Sequence, residues 1–367
     1  MVTKDSGTID NAPPPQENAV EEIKRELADI AHTLNEKSFK PHPALTSGHA
    51  QTLGAYVWPR RITLRAHRKD VERFFETEPN VRLLAHCRWQ EHRLDAPTML
   101  VVHGLEGSST SIYMLGAADK AFRAGFNVIR LNMRNCGGTE HLTETLYHSG
   151  MSGDFRACLN ELIEQDGLKR IFLVGFSMSG NIALKYAGEE GEDAPRELAG
   201  ICVVSPSVDL HASANEIERR SNWIYHQRFM SSLRKRIRQK KRFYPELYDT
   251  RGLSRVRKLR QFDNRYTSIH GGFTDADDYY TRASSLSLIR HIRVPTLIIH
   301  AQDDPFIPFH PLRDASIKEN PYVLLIAPEH GGHVGFLSDG ATGAEDRFWA
   351  ENRVVEFCKL LDEKISH

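Results

Sequence analysis

Arg170-Ile-Phe-Leu-Val-Gly-Phe-Ser-Met-Ser-Gly-Asn181 is the stretch that decides the fold of this chain. The apolar, β-rich run from Ile171 to Val174 predicts a buried strand, and the residues that begin at Asn181 predict a helix. Between them, Ser177 falls on a sharp strand-to-helix turn, which lifts a serine hydroxyl above the sheet edge and beside a helix N-terminus. The stretch therefore predicts a nucleophilic serine, and the alternative is an ordinary Gly/Ser turn in an α/β protein.

The residues around Ser177 follow the usual G-x-S-x-G pattern at one end only. Gly175 matches the first glycine, whereas Ser179 occupies the last position and is followed by Gly180. Small residues are needed there because two backbone segments meet without room for larger side chains. Serine is the next smallest polar residue, so we expect the turn to form.

A glycine-rich turn follows an earlier predicted strand. The apolar run that begins at Thr98 ends in His103-Gly-Leu-Glu-Gly-Ser-Ser109. Such a turn can aim a backbone N–H at the negative charge that develops on a carbonyl oxygen during acyl transfer. We expect the N–H groups of Leu105 and of Met178, directly after the serine, to form an oxyanion hole.

Two neighbouring carboxylates follow the predicted strand from Val294 to Ala301. Asp304 lies three residues past this strand and before a proline, which is the commoner position for the acid that orients a catalytic histidine. Asp303 is the alternative, and it otherwise serves to cap backbone N–H groups of the loop.

Two histidines follow the last predicted strand. His333 lies in Gly-Gly-His-Val-Gly-Phe, whose glycines allow the loop to bend over Ser177, whereas we expect His330 to pack or cap. Histidine suits the role of base because its unperturbed pKa of about 6.5 lets it accept and return a proton near neutrality. The order Ser177, Asp304, His333, each after a strand, is that of the α/β-hydrolase triad.

Composition excludes several classes of function. The 367 residues are 40% hydrophobic, which is enough for a sizeable core, and their formal net charge is zero. A neutral chain has no general attraction to nucleic acid. Eighteen histidines occur without H-x-H or H-E-x-x-H spacing, so we expect no metal and no other cofactor.

The cysteines and the N-terminus predict a cytoplasmic protein. The five cysteines lack C-x-x-C spacing, and Cys202 and Cys358 lie in apolar stretches, which fits a reducing compartment. No apolar run approaches the ~18 residues that a bilayer span requires. The first eighteen residues lack the apolar region of a secretory signal.

The first forty residues form a separate predicted segment, 1–40. Residues 1 to about 18 predict a disordered tail. Apolar residues then recur at helical spacing from Val20 to Leu34, which predicts an amphipathic helix. This helix packs on its own domain or, alternatively, contacts a membrane or a second copy. Residues 41–53 predict a loop.

The remaining residues alternate between strands and helices. This alternation predicts an α/β-hydrolase fold over residues 41–210 and 292–367, with a mostly parallel central sheet covered by helices on both faces. Besides the strands above, we expect strands near Val81–Trp89 and Asn127–Asn132, and helices near Met114–Ala124 and Asp154–Glu164.

Residues 211–291 interrupt this alternation without a buried strand, and we expect a helical lid over Ser177. Between Arg228 and Arg265, fourteen Lys and Arg oppose three acidic residues, a local net charge of +11. The lid then presents a solvated basic face or, alternatively, a surface that attracts anionic membrane head groups or acyl phosphates. Nucleic acid is disfavoured because the whole chain is neutral.

Eight short segments between Pro41 and the C-terminus have the pattern of a known family. They are Ser47–Leu53, His103–Ser109, Arg134–Gly138, Tyr147–Gly150, Phe262-Asp263, Gly272-Phe273, Asp278–Tyr280 and Gly331–Phe336. Together they resemble the YheT-like branch of the α/β-hydrolases, which includes lipases and esterases. The resemblance runs from about Pro41 to the C-terminus and implies a serine hydrolase acting on carboxylic esters, from short acyl esters to acylglycerols.

The sequence as a whole predicts a carboxylic ester hydrolase that uses Ser177, His333 and Asp304 and passes through an acyl-enzyme. A thioesterase or acyltransferase shares the same triad, and a catalytically silent binding protein shares the same fold, so both remain alternatives. The expected partner is a small-molecule ester.

Overall fold

The computed structural model describes residues 15–60, 62, 70–340 and 345–365, and most of the predicted disordered tail lies outside them. Eight strands in these ranges form one sheet. In chain order they are β1 (Val71–Glu78), β2 (Val81–Arg88), β3 (Thr98–Val102), β4 (Asn127–Leu131), β5 (Ile171–Phe176), β6 (Leu198–Val204), β7 (Thr296–Ile299) and β8 (Val323–Ile326).

The same residues form twelve α-helices, and a π-helical turn from Asp263 to Thr267 joins the eighth to the ninth. In chain order they are α1 (Pro15–Glu36), α2 (Gly48–Val57), α3 (Ile112–Arg123), α4 (Ser152–Glu164), α5 (Met178–Glu190), α6 (Leu210–Ile217), α7 (Trp223–Phe243), α8 (Leu259–Phe262), α9 (Ser268–Gly271), α10 (Ala276–Ala283), α11 (Ala315–Lys318) and α12 (Trp349–Ile365).

The sheet has the order β1-β2-β4-β3-β5-β6-β7-β8 and is parallel from β4 to β8. β1 and β2 add two antiparallel strands at one edge. The parallel strands end at one level, since Val102 lies opposite Gly175, and Val204 lies opposite both Phe176 and Ile299. This topology confirms the predicted α/β-hydrolase fold, and it brings together the loops that follow β3, β5, β7 and β8.

Buried apolar side chains cover both faces of the sheet. Every residue of β3 and β5 is buried, as expected of strands that lie between two layers of helices. On one face α4 and α5 contribute residues such as Phe155 and Ile182. On the other face α3 and α12 contribute residues such as Met114 and Val354.

The predicted amphipathic helix is α1, and it packs on its own domain. Leu27, Ile30 and Leu34 are buried in the same apolar layer as α12. The helix begins at Pro15, so the predicted disordered tail is wrong for residues 15–18.

Two elements differ from the sequence-based prediction. β1 lacks an apolar run because it is an edge strand in which only Phe75 is buried. Residues 41–53, predicted as a loop, include the first turns of α2. The Ser47 hydroxyl starts this helix by accepting a hydrogen bond from the Ala50 N–H at 3.2 Å.

Residues 211–291, called the insertion below, contain helices and no strand. The solvated-face interpretation is wrong for Arg236 and Lys240, because both side chains are buried. The Lys240 ammonium donates a hydrogen bond to the Glu140 carbonyl oxygen at 3.0 Å. Other cations of α7, such as Lys235 and Arg238, are exposed.

If α1 contributes to the core, Leu34→Ala should lower the free energy of unfolding by about 2–5 kcal/mol, because it removes a fully buried side chain and leaves a cavity. Urea unfolding measures this change. Arg25→Ala, on the exposed face of the same helix, should stay within about 0.5 kcal/mol of the parent. Equal midpoints for the two variants would contradict the packing of α1.

Candidate active site

Ser177 lies on the strained turn between β5 and α5. Its backbone has φ 57° and ψ −116°, outside the regions that residues with side chains favour. The Ser177 N–H donates to the Val204 carbonyl oxygen at 2.9 Å. A Cβ on Gly175 would lie 2.6 Å from the Ser179 carbonyl oxygen, and one on Gly104 would lie 2.9 Å from Ser177 Cβ. The turn therefore requires both glycines.

Ser179 has a structural use that explains the departure from G-x-S-x-G. Its Oγ accepts a hydrogen bond from the Phe176 N–H at 2.8 Å and donates one to the Val102 carbonyl oxygen at 2.7 Å. The side chain is fully buried, and it ties β5 to β3 beneath the turn. Its hydroxyl is therefore occupied, whereas Ser177 lines a pocket.

The structure brings Ser177, His333 and Asp304 together from three separate loops. His333 Nε2 lies 3.0 Å from Ser177 Oγ, and His333 Nδ1 lies 2.8 Å from Asp304 Oδ2. Because Nδ1 faces a carboxylate, it is the nitrogen that carries the proton, which leaves Nε2 free to accept the proton of the serine hydroxyl.

Asp304 is fixed beneath His333 in a fully buried position. Its Oδ1 accepts hydrogen bonds from the Phe306 N–H at 2.8 Å and the Ile307 N–H at 3.0 Å. Burial by itself raises the pKa of this carboxyl, but the adjacent His333 ring and the hydrogen bonds outweigh burial, and the pKa of Asp304 is lowered. The group is therefore a carboxylate that can stabilise a protonated imidazole.

Asp303 and His330 form a second pair that does not reach the serine. His330 Nδ1 lies 3.2 Å from Asp303 Oδ2 at the surface. Asp303 Oδ1 also accepts a hydrogen bond from the Gly332 N–H at 2.9 Å. Asp303 therefore caps a backbone N–H of the loop, which is the alternative role predicted for it from the sequence.

The loop that carries His333 rests against α2. Thr52 Oγ1 accepts a hydrogen bond from the His333 N–H at 2.9 Å and donates one to the Gly48 carbonyl oxygen at 2.7 Å. A Cβ on Gly332, which has φ 61°, would lie 2.3 Å from that same oxygen. Sequence reasoning missed this role of Thr52, although Thr52 lies in Ser47–Leu53, one of the segments that carry the family resemblance.

The two candidate oxyanion donors lie beside Ser177 and line the same pocket. Met178 is the first residue of α5, where N–H groups have no acceptor within the helix. Among the described residues, no oxygen accepts a hydrogen bond from the Leu105 N–H. The neighbouring Gly104 N–H is already used, since it donates to the Tyr113 hydroxyl at 3.0 Å.

The His103 side chain supports the glycine-rich turn that follows β3, residues His103–Ser109. Its Nδ1 donates to the Gly104 carbonyl oxygen at 2.8 Å, and its Nε2 accepts from the Met133 N–H at 3.1 Å. Burial lowers the pKa of His103 to about 4. The ring is therefore neutral near pH 7, and both of its nitrogens have backbone partners.

Glu106 joins the glycine-rich turn to the insertion, a contact that sequence reasoning missed. Its carboxylate accepts hydrogen bonds from Arg236 Nε at 2.7 Å, Tyr147 OH at 2.7 Å and Ser232 Oγ at 2.6 Å. Burial raises the pKa of Glu106, but the Arg236 guanidinium outweighs it and the pKa is lowered. A buried ion pair thus links α7 to the residue after Leu105.

The pocket at Ser177 extends into the insertion and has a volume of about 760 Å³ including its open mouth. The lining also contains a polar group from the insertion, where the Asp263 carboxylate accepts hydrogen bonds from Thr267 Oγ1 at 2.7 Å and Tyr280 OH at 2.6 Å. Burial raises the pKa of Asp263 to about 6. The rest of the lining is largely apolar and includes Leu146, Leu210, Ala214, Ile217, Leu233, Leu259, Phe262 and Ile307.

Two further kinds of feature are absent from the described residues. No group of three or more His, Cys, Asp or Glu side chains in ranges 15–60, 70–340 and 345–365 could hold a metal ion. No helix formed by the described residues has the length and apolar character to cross a membrane.

A serine, histidine and aspartate at the carboxyl edge of a mostly parallel sheet define the class of α/β-hydrolase-fold proteins. The family described as "alpha/beta hydrolase fold" matches residues 97–340. YheT, an esterase-type protein of Escherichia coli, is 32% identical over 274 residues, which cover 73% of this chain and 79% of YheT. The chain therefore belongs to the α/β-hydrolase family, in the branch that includes YheT.

Two eukaryotic relatives are also similar. Monoacylglycerol lipase of Saccharomyces cerevisiae is 31% identical over 74% of this chain and 60% of its own length. Phospholipase ABHD3 of Mus musculus is 28% identical over 66% of this chain and 58% of its own length. The match thus spans less than two thirds of each of these longer proteins.

Solved structures support the fold. The Pyrococcus furiosus esterase Pf2001 superposes with a TM-score of 0.51 at 16% identity, over 76% of this chain and 88% of that chain. Est1E from Butyrivibrio proteoclasticus superposes with a TM-score of 0.50 at 14% identity, over 81% of this chain and 99% of that chain.

Thr52→Val should slow the labelling of Ser177 by a fluorophosphonate probe by about 10- to 100-fold, because the His333 N–H loses its acceptor and small displacements of a base are costly. The unpaired N–H should also lower the free energy of unfolding by about 1–3 kcal/mol. Thr52→Ser keeps the hydroxyl and should restore the labelling rate. Equal rates for the valine and serine variants would remove the role of Thr52.

Proposed function

We propose that this chain hydrolyses carboxylic esters with Ser177 as nucleophile, His333 as general base and acid, and Asp304 as the carboxylate that orients the histidine. Ester hydrolysis as the general reaction is supported by the esterase and lipase relatives. The observation that carries the proposal is the continuous contact from Ser177 Oγ through His333 to Asp304 at the base of a pocket.

In the first half of the reaction, Ser177 Oγ attacks the ester carbonyl carbon while its proton passes to His333 Nε2. The carbonyl oxygen becomes an oxyanion that accepts hydrogen bonds from the N–H groups of Leu105 and Met178. When the tetrahedral intermediate collapses, the bond to the alcohol breaks, and the departing oxygen takes the proton from His333. The acyl group then remains on Ser177.

In the second half, water attacks the acyl carbon and gives a proton to His333 Nε2. Collapse of the second intermediate releases the carboxylic acid, and His333 returns the proton to Ser177 Oγ. Asp304 remains a carboxylate throughout, which agrees with its lowered pKa. A thioesterase would differ only in the leaving group, and an acyltransferase would use an alcohol in place of water.

The pocket favours substrates with an apolar acyl chain. Its largely apolar walls come partly from the insertion, so burial of a hydrocarbon chain there would contribute about 0.8 kcal/mol per methylene group. The relatives named as monoacylglycerol lipase and phospholipase support acyl lipids as the substrate class. A silent binding protein is disfavoured because His333 lies within hydrogen-bonding distance of both Ser177 and Asp304.

A cytoplasmic location remains a prediction. All five cysteines are free and buried, and Cys202 Sγ lies 3.7 Å from Cys358 Sγ without a disulfide. Thiols that close to each other are compatible with a reducing compartment.

Ser177→Ala and His333→Ala should each lower kcat/KM for a soluble p-nitrophenyl ester by at least about 10⁴-fold, because the two groups act as one unit. His330→Ala is the matched control and should change the rate little, since its ring pairs with Asp303. Circular dichroism should show that all variants fold. Activity that survives in Ser177→Ala would exclude the proposed nucleophile.

The kcat/KM of ester hydrolysis should also fall on acidification. A general base accepts a proton only in its unprotonated form, so acidification should lower kcat/KM and should not raise it. The measurement is the kcat/KM profile of the soluble ester between about pH 8 and about pH 5. A profile that is flat between these values would argue against general-base catalysis by His333.

A further inference from the structure

We infer that the outer face of α7, together with Trp223 and Ile224 at its start, is a docking surface for an anionic lipid membrane. This surface differs from the pocket and from the contacts of the triad. It consists of Trp223 and of six exposed residues that follow one another at helical spacing: Ile224, Arg228, Ser231, Lys235, Arg238 and Arg242.

Helix α7 has two faces of different composition. The outer residues recur every three or four positions and therefore form a single stripe along the helix. The inner stripe is buried against the protein and consists of His226, Met230, Leu233, Ile237 and Lys240. The helix is therefore held by its inner face, and its outer face is left for another partner.

The four cations of the outer stripe have no opposing charge. Helix α7 contains no acidic residue, and no carboxylate of the described residues forms an ion pair with Arg228, Lys235, Arg238 or Arg242. Arg236 differs, because it points inward and is paired with Glu106 at 2.7 Å. The outer stripe therefore attracts anions, although the whole chain carries no net charge.

Large apolar side chains lie at the start of the same helix, next to Arg228. Trp223 is 62% exposed and Ile224 is 72% exposed. The surface continues onto α2, where Tyr56 and Val57 are also exposed, and Arg228 lies over the Tyr56 ring at 5.1 Å. Exposed tryptophan and aliphatic side chains next to Lys and Arg are typical of surfaces that insert into the headgroup region of a membrane.

The surface lies close to the proposed active site. Tyr225, directly after Ile224, packs its ring 4.5 Å from that of Phe306, and the Phe306 ring lies 4.7 Å from that of His333. A membrane bound to the start of α7 would therefore lie near the mouth of the pocket. This placement suits an enzyme that takes acyl lipids from a bilayer.

A lipid surface explains the composition better than a nucleic acid does. Phosphates of nucleic acid would engage the four cations, but they offer nothing to exposed Ile224 and Val57. An anionic bilayer offers both a negative surface and an apolar layer.

Vesicle binding tests this inference without reference to hydrolysis. The triple variant Lys235→Gln, Arg238→Gln, Arg242→Gln should bind vesicles of phosphatidylcholine and phosphatidylglycerol roughly 100-fold more weakly than the parent at low ionic strength, since each cation near an anionic surface strengthens partitioning about fivefold. Added salt should weaken parent binding, because screening acts over ~8 Å at physiological ionic strength. Sedimentation with the vesicles gives the partition coefficient.

The matched control removes three positive charges from the opposite edge of the sheet. Lys169→Gln, Arg196→Gln and Lys318→Gln change exposed residues that precede β5, β6 and β8, and the combined variant has the same net charge as the α7 variant. Its vesicle binding should match that of the parent. Equal loss of binding in the two triple variants would overturn the assignment to α7.

Tryptophan fluorescence tests insertion separately. Trp223 is the exposed one among four tryptophans, the others being Trp58, Trp89 and Trp349. Anionic vesicles with brominated acyl chains should quench the parent, and Trp223→Phe should lose most of this quenching while it still sediments with vesicles. Binding of the parent to duplex DNA but not to vesicles would overturn the inference.

Hydrolysis of a soluble ester keeps this inference distinct from the proposed function. Both triple variants should retain the parent kcat/KM, because none of the six residues contacts the triad. A parent that binds anionic vesicles through α7 but cleaves no ester would support the docking surface and remove the esterase proposal.

Discussion

The close approach of two backbone segments beneath Ser177 is the constraint on which the candidate site depends. The turn that carries the serine has a positive φ of 57°, and a strained backbone of this kind costs about 1–3 kcal/mol unless the surrounding structure holds it. Gly104 packs against the serine, and Ser179 ties β5 to β3 below it. The rigid central sheet therefore holds the Ser177 hydroxyl in one position.

The histidine loop depends on a similar constraint that comes from far away in the sequence. Val334 and Phe336 both have positive φ values, 55° and 45°, so the loop would not hold this shape alone. Helix α2, which lies near the other end of the chain, supports this loop. Thr52 Oγ1 accepts a hydrogen bond from the His333 N–H, and the buried Gln51 side chain accepts one from the Leu337 N–H at 2.7 Å. The segment that contains Gln51 and Thr52 is therefore part of the scaffold of the candidate site, although its side chains lie outside the contact between Ser177, His333 and Asp304.

The parts of the structure that follow from local pattern could be predicted from the sequence, and the parts that follow from long-range contact could not. The run Ile171–Val174 and the turns after β3, β7 and β8 carry their own signals, so the fold and the positions of Ser177, Asp304 and His333 could be anticipated. Strand β1 could not be predicted, because an edge strand with one buried residue has no apolar run. The contacts of Thr52 and Glu106 join residues distant in sequence, and no local pattern contains them.

The cations of the insertion show why composition alone could not predict which charged side chains are exposed. The number of cations in the insertion can be counted from the sequence, but the composition does not show which of them face the protein. The helical period of α7 places some of them on its buried face and others on its exposed face. Lys240 lies inside, where burial lowers its pKa to about 7 and where the carbonyl oxygens of Glu140 and Thr143 accept its hydrogen bonds. Arg236 likewise holds the glycine-rich turn after β3 through Glu106. The inward cations therefore fasten α7 to the loops around Ser177, and this attachment fixes the direction in which the outer cations and Trp223 face.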